Sequence, residues 1–157
     1  MKHVITVLCE NRAGVLSHIA GLFSSRGYNI DSLAVGETLD PSVSRMTIVS
    51  EADERILEQI IKQLRKLIDV IKVQDLTGED FIDRELILIK VEAKPDKRPQ
   101  VIEIAGIFRA QIVDVGKDSL AVQASGTQSK INAMIDLLSD IGIREIVRTG
   151  RIAMKRN

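Results

Sequence analysis

The same order of element types occurs twice along this chain: strand, helix, strand, strand, helix, strand, at a spacing of about 75 residues. The repetition lies in the hydrophobic period and not in residue identities. In the first half, His3 to Cys9 is a short apolar run rich in β-branched residues, as a buried strand requires. Val15, Ile19, Leu22 and Phe23 then fall at i, i+4, i+7 and i+8, the stripe of an amphipathic helix. Arg26-Gly27 closes that helix with a cation and a residue free to take the left-handed stop conformation. Ile30 to Glu37 and Ser44 to Ser50 read as strands separated by a turn at Leu39-Asp40-Pro41-Ser42. Ile56, Leu57, Ile60, Ile61, Leu64 and Leu67 mark a second helix that starts at the charges of Asp53 and Glu54. Val70 to Leu76 is a fourth strand, and Thr77 to Asp80 a link.

The second half replays this order. Arg84 to Ala93 is a strand, and Lys94 to Pro99 a polar, proline-marked connection. Val101, Ile104, Ala105 and Phe108 give a helical stripe, and Gln111 to Val115 and Ser119 to Ala124 are strands around Gly116-Lys117-Asp118. Thr127 caps a helix carrying Ile131, Met134, Ile135 and Leu138, and Ile143 to Arg148 is the last strand. The predicted class is α+β: two tandem βαββαβ ferredoxin-like sandwiches, residues 1–77 and 78–157, each a four-stranded antiparallel sheet with two helices on one face.

Composition narrows the function. Lys+Arg and Asp+Glu both number 22, so no broad attraction to nucleic acid or an anionic membrane is built in. The strands where RNA-binding βαββαβ modules carry stacking aromatics, HVITVLC and SRMTIVS, have none. Arg148, Arg151, Lys155 and Arg156 in the tail read as solvated or as a partner contact. The single cysteine excludes an intrachain disulfide, and His3 and His18 lie at no metal-ligand spacing. His18 reads as a solvent-facing or packing residue, Cys9 as a buried strand end, and the charges of the second helix as its wet face. No phosphate loop or nucleophile motif occurs, so no catalytic residue, metal site or cofactor site is expected. No apolar run is long enough to span a membrane and no signal peptide is recognised, which sets the expectation of a cytoplasmic protein.

Two loops carry information. Glu10-Asn11-Arg12-Ala13-Gly14-Val15-Leu16 joins a strand directly to a helix start. Asn11 suits the N-cap, and the amides of Ala13, Gly14 and Val15, with the positive end of the helix dipole, would form a small site for a carboxylate. Gly14 costs about 1 kcal/mol relative to Ala inside a helix and lets something approach the backbone closely. The same residues also fit a plain capped helix with an incidental glycine. The second loop is Arg26-Gly27-Tyr28-Asn29-Ile30-Asp31, where Asn29 is either a turn residue or an amide able to recognise an amino acid's backbone.

The run NRAGVLSHIAGLFSSRGYNIDSLAVG, followed by DPSVSRMTIV and then EQIIKQLRKLIDVIKV, closely resembles the small regulatory subunit of acetolactate synthase (acetohydroxyacid synthase). RELILIKV and IFRAQIVDV extend the resemblance, more loosely, beyond residue 80. It implies an N-terminal ACT domain that binds an effector, followed by the C-terminal domain of such subunits. Asn11-Arg12-Ala13-Gly14 stands where a generic ACT domain often has Asp-x-Pro-Gly. The implied partner is the large catalytic subunit, a transferase that uses thiamine diphosphate, with magnesium and FAD expected there and no cofactor in this chain. The small subunit would activate it and confer feedback inhibition by valine or another branched-chain amino acid. The resemblance further implies a homodimer through the ACT domains. One protomer would supply Asn11, Ala13, Gly14, Val15 and Leu16 to the effector, and the other Asn29 and Ile30. Helix-start amides would take the carboxylate, an Asn amide oxygen the ammonium, and Val15, Leu16 and Ile30 would line a pocket for a short branched side chain. The leading alternative is a stand-alone ACT-type amino-acid sensor without a synthase partner.

Overall fold

A computed structural model describes residues 1–157 as two compact units, Met1–Ile82 with Arg151–Asn157, and Asp83–Gly150. In the first unit the order is β1 (Lys2–Glu10), α1 (Val15–Ser24), β2 (Ser32–Glu37), β3 (Val43–Glu51), α2 (Glu54–Lys66) and β4 (Val70–Asp75). The antiparallel sheet runs β2-β3-β1-β4, with β1 and β3 paired from Lys2 opposite Glu51 to Glu10 opposite Val43. Alternation along the two central strands selects the inner face. Ile5, Val7 and Cys9 of β1 and Met46 and Ile48 of β3 are buried against Val15, Ile19 and Phe23 of α1 and Leu57, Ile60, Ile61 and Leu64 of α2. Each fully buried Leu, Ile or Phe contributes about 1.5–3 kcal/mol, and together they hold both helices on one face.

The second unit repeats this plan with β5 (Phe81–Glu92), α3 (Arg98–Ile107), β6 (Gln111–Val115), β7 (Ser119–Gly126), α4 (Gln128–Ser139) and β8 (Ile143–Arg148). The sheet order β6-β7-β5-β8 is that of the first unit shifted along the chain. Ile87, Ile89 and Val91 of β5 and Leu120, Val122 and Ala124 of β7 face Val101, Ile104, Ile131, Met134 and Leu138 of the helices. Helix α3 begins at Arg98, inside the proline-marked connection expected from the sequence, with Pro99 in its first turn. Proline is tolerated there because a first-turn amide has no intrahelical partner to lose. Thr127 caps α4 as expected, its hydroxyl accepting from the Lys130 amide.

The tail departs from the sequence reading. Ile152–Lys155 is a short strand, β9, that pairs with β5. The Ala153 amide donates to Thr47 Oγ1, and its side chain is buried with Val4, Val49 and Leu76 on the sheet face opposite the helices. Lys155 and Arg156 pair with Glu79 and Asp80. In the second unit Arg148 forms a fork with the buried carboxylate of Glu85. No helix is long and apolar enough to cross a membrane.

Candidate effector site

The candidate site grows from the end of β1. Once Glu10 has closed the ladder with Val43, the Asn11 amide donates to the Ser42 carbonyl at 2.7 Å, and Asn11 Nδ2 donates to the Pro41 carbonyl at 2.9 Å. Asn11 is therefore not the helix cap, contrary to the sequence expectation. It sits three residues too early, and the β2–β3 turn engages its side chain. The N-cap is Gly14, at φ 88° and ψ −16°, with no side-chain cap. That positive φ explains the glycine, because an L side chain rarely adopts it. A Cβ added there would meet nothing within 4 Å, so the space over the backbone is open.

The helix begins with few of its amides satisfied. The Val15 N–H reaches the Arg12 carbonyl only at 3.4 Å, and the first regular helical bond runs from the His18 N–H to the Gly14 carbonyl at 3.0 Å. The amides of Leu16 and Ser17 lie between these and have no carbonyl of the chain as partner. With the dipole of α1 behind them, they form an electropositive mouth suited to a carboxylate. Ala13 is exposed beside it, and Leu16 is 43% exposed. The Val15 side chain, expected to wall the pocket, is instead 4% exposed and packs with Ile19 and Phe23. Its place as first residue of the buried stripe turns it inward, so only its backbone faces the mouth.

The second loop lies at the far end of α1. The Gly27 N–H donates to the Ser24 carbonyl and the Tyr28 N–H to the Phe23 carbonyl, a Schellman closure with Gly27 at φ 72°. Asn29 is exposed; its Nδ2 donates to Asp31 Oδ1 at 3.1 Å, which leaves the amide oxygen as an acceptor. Its carbonyl accepts from Ser50 Oγ at 2.7 Å, and Ile30 is half-buried against the core. A ten-residue helix separates Gly14 from this loop, roughly 15 Å along the axis. The structure thus places all seven residues at the two ends of α1, Val15 and Leu16 in its first turn and Asn29 and Ile30 beyond its last, but one small amino acid cannot touch both ends in the same chain.

Sequence reasoning missed a third element, the loop between α2 and β4. Asp69 takes the Arg12 guanidinium on one carboxylate oxygen, and the other lies 3.9 Å from His18 Nδ1. Its carbonyl accepts the Glu10 amide at 2.8 Å. Arg12 and Asp69 are 57 residues apart, and no local pattern marks such a contact. Cys9 is buried, and burial, then the charges of Asp69 and Glu10, push its thiol pKa up. A separate groove of about 390 Å³ near the end of α2 is lined by Arg26, Gln59, Lys62, Gln63, Arg65 and Lys66. No Val, Leu, Ile or aromatic residue lines it.

Comparison with known proteins adds identity to this geometry. Residues 5–72 match a family model described as AHAS small subunit-like ACT domain, and residues 84–157 match one described as the small subunit of acetolactate synthase. The probable acetolactate synthase small subunit of Archaeoglobus fulgidus is 53% identical over 99% of this chain and 98% of its own length. The chain belongs to the acetolactate synthase small-subunit family. A Mycobacterium leprae acetolactate synthase small subunit is 50% identical over 98% of this chain and 92% of its own length. The crystal structure of the acetolactate synthase small subunit from Thermotoga maritima superposes with a TM-score of 0.89 at 39% identity, covering 99% of this chain and 98% of that one. Membership in this family makes the chain a regulatory component of acetolactate synthase, with a catalytic large subunit as partner. Both repeated units fall within the family matches, so the match is not confined to the ACT half.

Proposed function

We propose that this small subunit activates its thiamine-diphosphate-dependent catalytic subunit and makes it sensitive to a branched-chain amino acid, valine in the first instance. The effector carboxylate would sit on the amides of Leu16 and Ser17 over Gly14, with Leu16 against the branched side chain. The observation that carries this reading is the left-handed Gly14 with open space above it and unpaired amides beside it. An ammonium acceptor is also needed. Asn29 offers one, but about 15 Å away along α1, so the reading requires two copies whose helices lie alongside each other, each lending Asn29 and Ile30 to the other's mouth.

Inhibition then follows from differential binding: the effector favours the relative orientation of the two copies that activates the enzyme less. The test is reconstitution with the cognate catalytic subunit. Acetolactate formation should rise on adding this chain and fall again with valine. Activity that responds neither to the chain nor to valine would overturn the reading.

A further inference from the structure

The groove of about 390 Å³ near the end of α2 gathers four cations, Arg26, Lys62, Arg65 and Lys66, with two glutamines and no acidic residue. Six other cations of the chain, Arg12, Lys90, Arg144, Arg148, Lys155 and Arg156, each sit against a carboxylate. The four in the groove do not. Arg26 reaches only the Ser25 hydroxyl at 3.4 Å, and Arg65 only the Val73 carbonyl at 3.4 Å. The sequence of α2 builds this asymmetry. Its acidic side chains, Glu54 and Glu58, fall in the first half, and none occurs from Gln59 to Lys66. Gln59, Lys62, Gln63 and Lys66 follow at i, i+3, i+4 and i+7, one stripe of the helix surface. Like charges one turn apart, such as Lys62 and Lys66, destabilise a helix taken alone. The negative end of the helix dipole offsets this for Arg65 and Lys66 in the last turn, but not for Lys62 a turn earlier. Arg26 enters from the other helix. It is half-buried, and its N–H donates to the Phe23 carbonyl at 3.2 Å in the closure of α1.

We propose that this groove binds an anion made of linked phosphoryl groups, a diphosphate or triphosphate. Two guanidinium forks offer paired N–H donors to phosphoryl oxygens, two ammonium groups add compact charge, and Gln59 and Gln63 add neutral amide donors. Lys62 and Lys66 are spaced about 6 Å along the helix axis, so neighbouring phosphoryl groups can each take one. A single carboxylate would leave most of the four charges unanswered. Without a Val, Leu, Ile or aromatic residue in its lining, the groove reads charge and not a base or an apolar tail. The dipole of α2 opposes an anion at this end, which is why several cations and not one are required. Because Arg26 follows α1 and the other cations lie on α2, the bound anion joins the two helices and stabilises the first unit. Arg26 stands at the far end of α1 from Gly14, so the site does not depend on the effector reading.

The test is calorimetry on the whole chain in metal-free buffer, with inorganic phosphate, pyrophosphate, tripolyphosphate and citrate as probes. Tripolyphosphate should bind once per chain and about tenfold or more tighter than phosphate, and citrate about fivefold or more weaker than pyrophosphate. Lys62→Gln, Lys66→Gln and Arg26→Gln should each weaken tripolyphosphate by about threefold to tenfold. Lys117→Gln, at an exposed lysine of the second unit, should change it by less than about twofold. Saturating tripolyphosphate should raise the Tm of wild type and not that of the double variant Lys62→Gln/Lys66→Gln, whose side chains are exposed and whose melt without the anion checks its folding. No binding of tripolyphosphate, an equal loss in Lys117→Gln, or citrate that matches pyrophosphate would each overturn the site.

Discussion

Substituting Gly14 separates backbone strain from charge at the proposed effector mouth. At φ 88° any L residue is strained by about 1–2 kcal/mol, partly offset by about 0.4–1 kcal/mol because the unfolded chain becomes stiffer. A Cβ meets no atom within 4 Å, so no clash adds to this. Gly14→Ala should therefore cost up to about 1.6 kcal/mol, a fall in Tm of about 3–6 °C at most, and Gly14→Asp less, because its carboxylate can accept from the first amides of α1. Their effector affinities should diverge. A carboxylate at position 14 lies within reach of the amides that would hold the effector's own carboxylate. Two such charges about 4 Å apart repel by about 1 kcal/mol in bulk water and about 4 kcal/mol at the screening typical near a protein surface. The mouth is exposed, so the penalty falls between these limits, a loss of affinity between about fivefold and about a thousandfold beyond that of the Ala variant. Calorimetry with valine on both variants, alongside thermal melts, reads the two effects separately. Equal valine affinity in Gly14→Asp and Gly14→Ala would refute the placement of the carboxylate.

Other consequences are testable independently. Asn29→Ala should weaken valine binding by about tenfold or more by calorimetry, since an ammonium loses a charge-assisted acceptor. Arg109 closes α3 at φ 54°, where glycine is the usual residue; Arg109→Gly should stabilise the protein by about 1 kcal/mol in denaturant unfolding. Arg148→Ala should cost about 2–4 kcal/mol, because the Glu85 carboxylate is 3% exposed and would be left unpaired, and Glu85→Leu in the same chain should recover most of that loss. The Ser42 hydroxyl, and next its amide, hold the Asp40 carboxyl below the ordinary 3.8. A carboxylate depressed in the folded state stabilises above its unfolded pKa, and that contribution fades as pH falls below about 4. An NMR titration should show Asp40 with a midpoint below 3.8 that moves up in Ser42→Ala.

The architecture was legible because its determinants are local and periodic. The stripe of Val15, Ile19 and Phe23, the helix start at Asp53 and Glu54, the cap at Thr127 and the stop at Gly27 each act within one element, and the structure places each as expected. What the sequence concealed depends on distant partners. Ile152–Lys155 is too short to announce itself as a strand and is fixed by Thr47 and by a buried cluster far back in the chain. Asn11 has the chemistry of a cap but is captured by the Pro41 carbonyl, and the cap falls to Gly14 through its φ alone. Val15 illustrates a conflict between two roles read into one residue. Its helical period demands burial, and burial removes its side chain from the mouth. The role of Asp69 came from no motif, since only the closing of β4 against β1 brings it to Arg12.

The account stands most directly on where an amino acid touches the backbone. In an amide-resolved NMR titration of the isolated small subunit with valine, the largest shifts should fall on the amides of Gly14, Leu16 and Ser17 and on the Asn29 side chain, saturating together. Valine that binds while those signals stay in place, and signals elsewhere move, would contradict it.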